Sequence, residues 1–490
     1  MKKLICMLLM VAMLLCAAAC SNDGTEPPKE TTSAGEQNTV AAAPIDTVPV
    51  KDFDNNDFTI LVRTEFAYEF DQSESTGDRL NAAVIKRNAL VQERYNLNFQ
   101  IISEPGNWQN RDNFKAKVNV AVSFDPCPYD LIVGAQNQLC AYITEGAFTD
   151  LMPIESLKDF ESDWWFDGFV DNVSFKNKLY FVVGDVGVTL LENCNAVAFN
   201  KDICSSYGLD YPYDLVKENR WTLEALIEMT KAVGYDLGSN GVKDESDRYA
   251  LVSGGSALRG FSTAFVMPIT SLDESGIPYI SLADPQYHAV DIFDTFRDEL
   301  IAVDDRCFID DSANIVGMFS QGRSLFMLGN LSSMSAVRHQ SEEDFGILPY
   351  PMYNIEQGAY YTHVYETLSV FSIPVTARSY EDSGLILEAL GAASYTYVTP
   401  EYFDLVLKGQ NAKDIESYDM IEMIRENITF NFGFVHATAL ATSEKGDNGP
   451  NGFFNQMAKK DFSFMSSYEQ KSGGWKQKLS ELYDKYASMG

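Results

Sequence analysis

The chain has 490 residues, 46% of them hydrophobic, and at this length it exceeds the about 250 to 300 residues at which a single core stops growing, so at least two lobes are expected. Its 70 acidic residues outnumber 37 basic residues, which gives a formal net charge of −33 at pH 7. This acidity argues against nucleic acid as a partner, because such binding relies on Lys and Arg to neutralise phosphates.

The first 20 residues have the pattern of an export signal. Lys2 and Lys3 precede a mostly apolar segment that ends in three alanines before Cys20, and this order is typical of a cleavable secretory signal. The Ala-Ala-Ala-Cys run resembles the lipobox of bacterial lipoproteins, which implies removal of residues 1–19 and a lipid on Cys20. Ala17 stands where that motif usually has Leu, so secretion with an ordinary Ala-x-Ala cut is the alternative.

Residues 20–52 are predicted to be the lipidated cysteine and a disordered linker. The part from 21 to 50 contains no aromatic residue and is rich in Ser, Thr, Glu, Pro and Gly, so it cannot bury enough apolar surface to fold. A flexible chain of this length spans on the order of 30 Å. We therefore expect an extracytoplasmic globular body, anchored to the outer face of the bacterial cell membrane by the lipid on Cys20.

Beyond the linker, strand-like and helix-like segments alternate, which predicts an α/β protein with largely parallel sheets. The predicted strands are 58–63, 97–103, 129–135, 179–184, 196–200, 324–329, 345–348 and 367–373. Helical periodicity follows Pro285, follows Thr222 as a helix cap, and marks a terminal helix around 475–486. The body has an odd number of cysteines, which are predicted to be core residues with one disulfide at most.

Polar side chains follow several predicted strands, at the sheet edge where α/β proteins bind ligands. Neutral hydrogen-bonding groups and a few carboxylates in such loops suit a hydroxyl-rich ligand, although surface loops are polar in any case. The predicted ligand-binding residues in these loops are Glu65, Tyr68, Gln136, Asn137, Asp185 and Asn330.

An acidic run from Asp236 to Asp247 has partial calcium-loop spacing. Asp236, Asn240, Asp244 and Asp247 occupy positions one, five, nine and twelve of such a loop. Position three lacks an oxygen-bearing side chain, so a solvated acidic turn is the alternative to a weak structural calcium site. The sequence otherwise predicts no cofactor and no catalytic residue, because it contains neither a nucleophile elbow nor a phosphate loop nor a zinc-protease motif.

Several segments, taken in order, resemble extracellular solute-binding lipoproteins of carbohydrate-type ABC importers. They are YPYDLVKENRWTLEALIEMTKAV from 211, MFSQGRSLF from 318, the block 345–374 and the run 387–409. The resemblance implies a type II periplasmic-binding-protein fold, with two α/β lobes and a hinged cleft. The N-lobe would comprise 53–190 plus 364–410, and the C-lobe 191–363 plus 411–490.

The same resemblance implies further ligand-binding residues. Trp164 and Trp165 resemble a pair of tryptophans in the family: either one of them faces the cleft, or both pack in the core. Glu192, Asn193, Tyr365 and Glu366 fall where the chain should cross between lobes. They either contact ligand from the cleft floor or only satisfy the crossing segments.

The predicted function is that of a monomeric, non-enzymatic, lipid-anchored substrate-binding component of an ABC importer. It would capture an oligosaccharide or similar neutral hydroxylated solute by hinge closure and deliver it to membrane permease subunits. Two alternatives remain at this point: a secreted glycosidase or lyase, and a surface sugar receptor for a sensor kinase.

Overall fold

The computed structural model describes residues 43–70, 78–157, 160–166, 168–233, 237, 241, 244–303, 306–340, 344–407, 415–442 and 449–489. The predicted signal, Cys20 and most of the predicted linker lie outside these ranges. None of the helices in the described ranges combines the length and apolar character that a membrane span requires.

The strands form two main sheets and a small hairpin. The first sheet has the order β11-β3-β1-β2, the second β10-β4-β9-β5-β8, and β6 pairs with β7. The strands are β1 (Asn56–Arg63), β2 (Leu97–Glu104), β3 (Leu131–Ala135), β4 (Asn195–Asn200), β5 (Tyr249–Ser253), β6 (Thr270–Leu272), β7 (Pro278–Ile280), β8 (Cys307–Ile309), β9 (Ser324–Asn330), β10 (Phe345–Leu348) and β11 (Ser369–Ser372).

Both main sheets are mixed. β1 runs parallel to β2 and β3, and β5 runs parallel to β8 and β9. The antiparallel pairs in these sheets involve β4 or β11, the two strands that begin directly after the chain passes from one sheet to the other. The predicted α/β class is confirmed. The predicted parallel arrangement holds for β1, β2 and β3 in the first sheet and for β5, β8 and β9 in the second.

Helices cover the sheets and connect the strands. The longer ones are Arg79–Tyr95, Arg111–Val122, Gln136–Ile143, Lys201–Tyr207, Leu223–Thr230, Ala289–Phe296, Leu331–Gln340, Tyr380–Tyr397, Thr399–Leu407, Ile415–Glu426 and Phe464–Ser488. Shorter helical segments are Pro44–Thr47, Thr64–Glu69, Glu155–Leu157, Phe169–Val173, Thr189–Glu192, Tyr213–Lys217, Gly255–Arg259, Gly260–Ala264, Pro285–Tyr287, Arg297–Ile301, Ile315–Ser320, Ile355–Gln357, Phe432–Val435, Ala437–Leu440 and Pro450–Ala458.

The helix signals in the sequence are found in the structure. Thr222 Oγ1 accepts a hydrogen bond of 3.3 Å from Ala225 N and so caps Leu223–Thr230. Pro285 begins a single turn directly before Ala289–Phe296. The terminal helix extends beyond the predicted 475–486, from Phe464 to Ser488.

One expectation about the body is wrong. The segment 179–184 is buried but is not a strand, because it forms only isolated bridges. Val182 pairs with Phe371 through two hydrogen bonds of 3.0 Å, and Gly184 pairs with Trp165. The prediction rested on the apolar composition of this segment. Apolar composition requires that a segment be buried, but it does not require that the segment pair as a strand. The five body cysteines, all of them in described ranges, are free thiols, and four of them are buried, which is compatible with the expectation of core residues with one disulfide at most.

Three chain segments lie side by side where the two main sheets meet. Cys194 pairs with Val364, and Thr362 pairs with Ile428. Asn195 N also donates to the carbonyl oxygen of His363 at 2.9 Å. Two of these segments connect the sheets: one ends directly before β4, and the other lies just before β11. We call these two the crossing segments, and any rotation of one sheet against the other has to bend them.

Candidate functional site

A polar cavity of about 250 Å³ lies at the carboxyl ends of β5, β8 and β9, next to the crossing segments. Polar side chains and backbone from these strand ends form most of its wall, and Tyr365 comes from a crossing segment. The lining residues are Asn195, Gly254, Ser256, Ala257, Asp310, Asp311, Ile315, Leu328, Gly329, Asn330, Ser333 and Tyr365.

Asn330 is held in the cavity wall by the helix that follows it. Its Oδ1 accepts hydrogen bonds from Ser333 N at 2.9 Å and from Ser333 Oγ at 2.7 Å, which satisfies donors at the start of Leu331–Gln340. The side-chain oxygen is therefore committed to the fold, and the amide N–H groups are the part of Asn330 that is suited to a ligand.

Asn195 lies opposite Asn330 in the sheet register, at the start of β4. Its Nδ2 donates to Gly329 O at 3.3 Å and to Tyr350 Oη at 3.1 Å, while Tyr350 Oη donates to Ala257 O. Both partners require a donor from Asn195, so its orientation is fixed. Its Oδ1 has no hydrogen-bond partner, although only 4% of the residue is exposed.

A buried ion pair lies beside the cavity on the crossing segment. An Arg259 N–H donates to Glu366 Oε1, which also accepts from Asn451 Nδ2 at 2.9 Å. Arg259 Nε donates to Asn455 Oδ1 at 3.0 Å, and its guanidinium lies 5.6 Å from the centre of the Tyr365 ring. Arg259 thus neutralises Glu366 and supports Tyr365, which lines the cavity.

The first sheet contributes Gln136 and Asn137, which begin the helix after β3. Gln136 N donates to Leu368 O and Asn137 N to Glu366 O, each at 3.1 Å. The predicted residues Asn137 and Glu366 are thereby brought together. The side-chain oxygens of Gln136 and Asn137 have no hydrogen-bond partner.

Glu65 supports a loop at the same edge of the first sheet. Its Oε2 accepts from Gly106 N at 3.0 Å, and Gln138 Nε2 donates to Gly106 O at 2.8 Å. Two residues further on, Trp108 is 55% exposed, with the Arg111 guanidinium 4.3 Å from its ring centre. The Trp108 ring is therefore supported by the guanidinium while more than half of the residue stays exposed.

Tyr68, Glu192 and Asn193 tie the loop after β1 to the first crossing segment. Tyr68 Oη donates to Glu192 Oε2, and burial raises the pKa of Glu192 to about 7. Asn193 Nδ2 donates to Thr189 O at 2.8 Å, and Asn193 Oδ1 accepts from Thr367 Oγ1 at 3.2 Å. These hydrogen bonds satisfy polar groups of the first crossing segment, and ligand contact by Glu192 and Asn193 stays a prediction.

Trp164 and Trp165 both lie in the core. Their indole N–H groups donate to the two oxygens of Glu388, at 3.1 Å and 2.7 Å. Burial raises the pKa of Glu388 to about 7. In this structure neither tryptophan lines the cavity, and core packing of both was one of the two expectations.

Asp185 is also away from the cavity. It is fully buried and accepts a hydrogen bond of 2.9 Å from an Arg425 guanidinium N–H. Burial raises its pKa to about 6, although Arg425 opposes the shift. Asp185 was expected beside Asn330 because 179–184 was predicted to be a strand. Since that segment is not a strand, Asp185 does not lie at the carboxyl end of one.

Half of the predicted calcium loop is described. Asp236 and Asn240 lie outside the described residues. Asp247 accepts from Leu237 N and Asp244 N, and Asp244 accepts from Ser246 N and Ser246 Oγ. These contacts are those of a hydrogen-bonded turn. The described residues contain no group of three His, Cys, Asp or Glu side chains arranged to hold a metal ion.

Four residues that line the cavity, and Arg259 beside it, were not among the predicted site residues; the four are Asn195, Ser256, Asp310 and Asp311. Ser256 and the two aspartates follow β5 and β8, neither of which was predicted as a strand. The signal available was the short apolar run before each of them, YALVS and CFI.

The mixed sheets, the crossing segments and the cavity beside them define the two-lobed α/β fold of the solute-binding proteins of ABC transporters, as predicted. Solved structures with this fold that cover most of the chain include UgpB from Mycobacterium tuberculosis in complex with glycerophosphocholine, with a TM-score of 0.54 and 14% identity over 88% of this chain and 98% of that one. The GacH receptor of Streptomyces glaucescens, solved unliganded and with acarbose, has a TM-score of 0.52 and 12% identity over 88% and 99%.

A third similar structure is an ABC transporter solute-binding protein from Thermotoga lettingae bound with α-D-tagatose. It has a TM-score of 0.50 and 12% identity, over 87% of this chain and 100% of that one. No protein-family model and no curated protein matches the sequence. At identities this low, the likeness shows the fold alone.

Proposed function

We propose that this chain is the substrate-binding component of an ABC importer, which captures an oligosaccharide or similar hydroxylated solute and delivers it to membrane permease subunits. The observation that carries this proposal is the polar cavity at the carboxyl ends of β5, β8 and β9, beside the segments that join the two sheets. A solute held there contacts the second sheet and the crossing segments together, so binding favours one relative orientation of the lobes.

The chemistry of the site supports a hydroxylated solute. Amide, hydroxyl and carboxylate groups of Asn195, Ser256, Asp311 and Asn330 can each bond to a sugar hydroxyl, and Tyr365 adds an aromatic ring. The similar structures contain glycerophosphocholine, acarbose and α-D-tagatose, respectively. We propose that the solute of the present chain belongs to the same class of small hydroxylated molecules.

The proposal includes the cellular setting and the lobes. Residues 1–19 act as the signal, Cys20 carries the lipid, and the body acts as a monomer on the outer face of the cell membrane. The lobes are 53–190 with 364–410 and 191–363 with 411–490. The helix Phe464–Ser488 reaches across this division, since Lys178 Nζ donates to Met489 O directly after it at 3.2 Å, and the Tyr486 ring packs on Phe175.

A thermal-shift array of mono- and oligosaccharides and polyols, followed by calorimetry on each hit, tests the function. We expect at least one solute to raise the melting temperature and to be recovered chemically unchanged. Tyr365→Ala should weaken its binding about tenfold or more, because the ring lines the cavity.

The matched control is Tyr279→Ala, which removes an exposed tyrosine from β7, a strand outside the cavity. Its affinity should equal that of the wild type. Release of a cleaved product would instead favour the glycosidase or lyase alternative. Equal losses in both tyrosine variants would remove the assignment of the site.

A further inference from the structure

The charges that face the cavity are all negative. Among the described residues that line it, Asp310 and Asp311 are charged, and none is Lys, Arg or His. The guanidinium of Arg259, which lies beside Tyr365, already donates to Glu366 and Asn455. A ligand that enters therefore meets two carboxylates with no cation among these lining residues to neutralise them.

The local backbone gives Asp311 its position. Asp311 Oδ1 accepts from Ser256 N at 3.3 Å. A Cβ atom at Gly254 would lie 3.0 Å from Asp311 Oδ1, and one at Gly255 would lie 3.1 Å from Asp311 Oδ2. Both contacts are tighter than ordinary packing, so the two glycines leave the carboxylate space close to the loop after β5.

Asp310 is held in the charged form. Its Oδ1 accepts from Ser312 N at 2.8 Å and from Ser312 Oγ at 2.7 Å. These hydrogen bonds lower the pKa of Asp310 below its ordinary value. Negative charge at this wall therefore persists under mildly acidic conditions.

A second observation also points to a ligand that donates. Asn195 lines the same cavity and is more than nine-tenths buried, and its orientation is fixed with Nδ2 toward Gly329 and Tyr350. Its Oδ1 is therefore a hydrogen-bond acceptor without a donor from the described part of the protein.

Building on the proposed function, we propose that the solute carries a protonated amino group that binds at Asp311, so that its class is an aminated sugar or amino-polyol. An ammonium group supplies three donors and a positive charge, and its hydrogen bonds to carboxylates are about twice as strong as neutral ones. The same carboxylates repel uronic acids and sugar phosphates, which gives the site selectivity by exclusion.

The test uses matched disaccharides in several linkages, each as the free-amine, N-acetylated, unsubstituted and uronic-acid form, measured by calorimetry on the full mature chain at pH 6.5. We expect a free-amine member to bind at least about tenfold more tightly than its N-acetylated and unsubstituted counterparts. Asp311→Asn keeps the shape and the acceptor and should abolish this preference, without lowering the melting temperature of the free protein.

The control is Asp273→Asn, an exposed aspartate in the turn between β6 and β7, which should keep the preference. Equal or tighter binding of an unsubstituted or uronic-acid sugar overturns the inference and leaves the proposed function standing. Failure of every disaccharide in the panel to bind overturns the inference, and the proposed function falls as well only if no solute of the wider sugar and polyol array binds. A preference that survives Asp311→Asn also overturns the assignment to this residue.

Discussion

Glu388 makes the stability of this protein depend on pH. Its carboxylate accepts from the indole N–H groups of Trp164 and Trp165, and only 8% of the residue is exposed. Burial raises its pKa from the ordinary 4.5 to about 7. The folded protein therefore binds this proton more tightly than the unfolded chain, and the resulting stability is full below pH 4.5 and is lost as the pH rises through 7.

The size of the effect follows from the shift, at ~1.4 kcal/mol per pKa unit. Between pH 5 and pH 8 the group should cost the folded state about 2 to 3 kcal/mol. Glu388→Gln has no proton to titrate. The difference in unfolding free energy between wild type and variant should therefore change by this amount between the two pH values. Relative to the variant, the wild type should be more stable at pH 5 than at pH 8.

Urea unfolding followed by tryptophan fluorescence at both pH values measures this difference. Using a difference removes the contributions of Asp185 and Glu192, whose raised pKa values are common to both proteins. The control is Glu224→Gln, an exposed glutamate on the helix Leu223–Thr230, for which the difference should stay constant. If the difference for Glu388→Gln were constant, or more favourable to the wild type at pH 8 than at pH 5, the raised pKa of Glu388 would be excluded.

Two further predictions concern packing and the ion pair beside the cavity. Gly346→Ala places a Cβ atom on Tyr213 Oη and should lower the unfolding free energy by about 2 kcal/mol or more. Gly473 lies inside a helix with open space around it, so Gly473→Ala should raise the unfolding free energy by about 0.5 to 1 kcal/mol. Equal effects of the two substitutions in urea unfolding would contradict this. Arg259→Met leaves the buried Glu366 carboxylate without its cation and should destabilise the fold by about 3 to 5 kcal/mol. The double variant with Glu366→Met should recover part of that loss, and strict additivity in the cycle would show that the two side chains do not interact.

The strands that could be predicted are those with enough residues to show a pattern. β1 and β9 are long apolar runs, and the predicted ranges overlap them closely. β8 has only three residues, Cys307–Ile309, which is too short for any periodicity. Because β5 and β8 were missed, the loops after them, with Ser256 and Asp311, could not be placed at the binding edge.

The two tryptophans show a different limit. Large aromatic residues serve both cores and sugar sites, so the pair Trp164 and Trp165 fitted either expectation. Their acceptor, Glu388, lies 223 positions beyond Trp165 along the chain, and no local pattern connects them. Asn330 and Tyr365 both line the cavity. Asn330 follows an apolar run, which is a local signal of a strand end, whereas Tyr365 was indicated only by the resemblance to a family.

The proposed function requires the two proposed lobes to close over a solute without changing it. Small-angle X-ray scattering of the mature chain, with and without a solute identified in the array, measures this most directly. We expect a smaller radius of gyration at saturation and recovery of the intact solute. An unchanged radius of gyration with the solute fully bound, or recovery of a cleaved product, would contradict the proposed function.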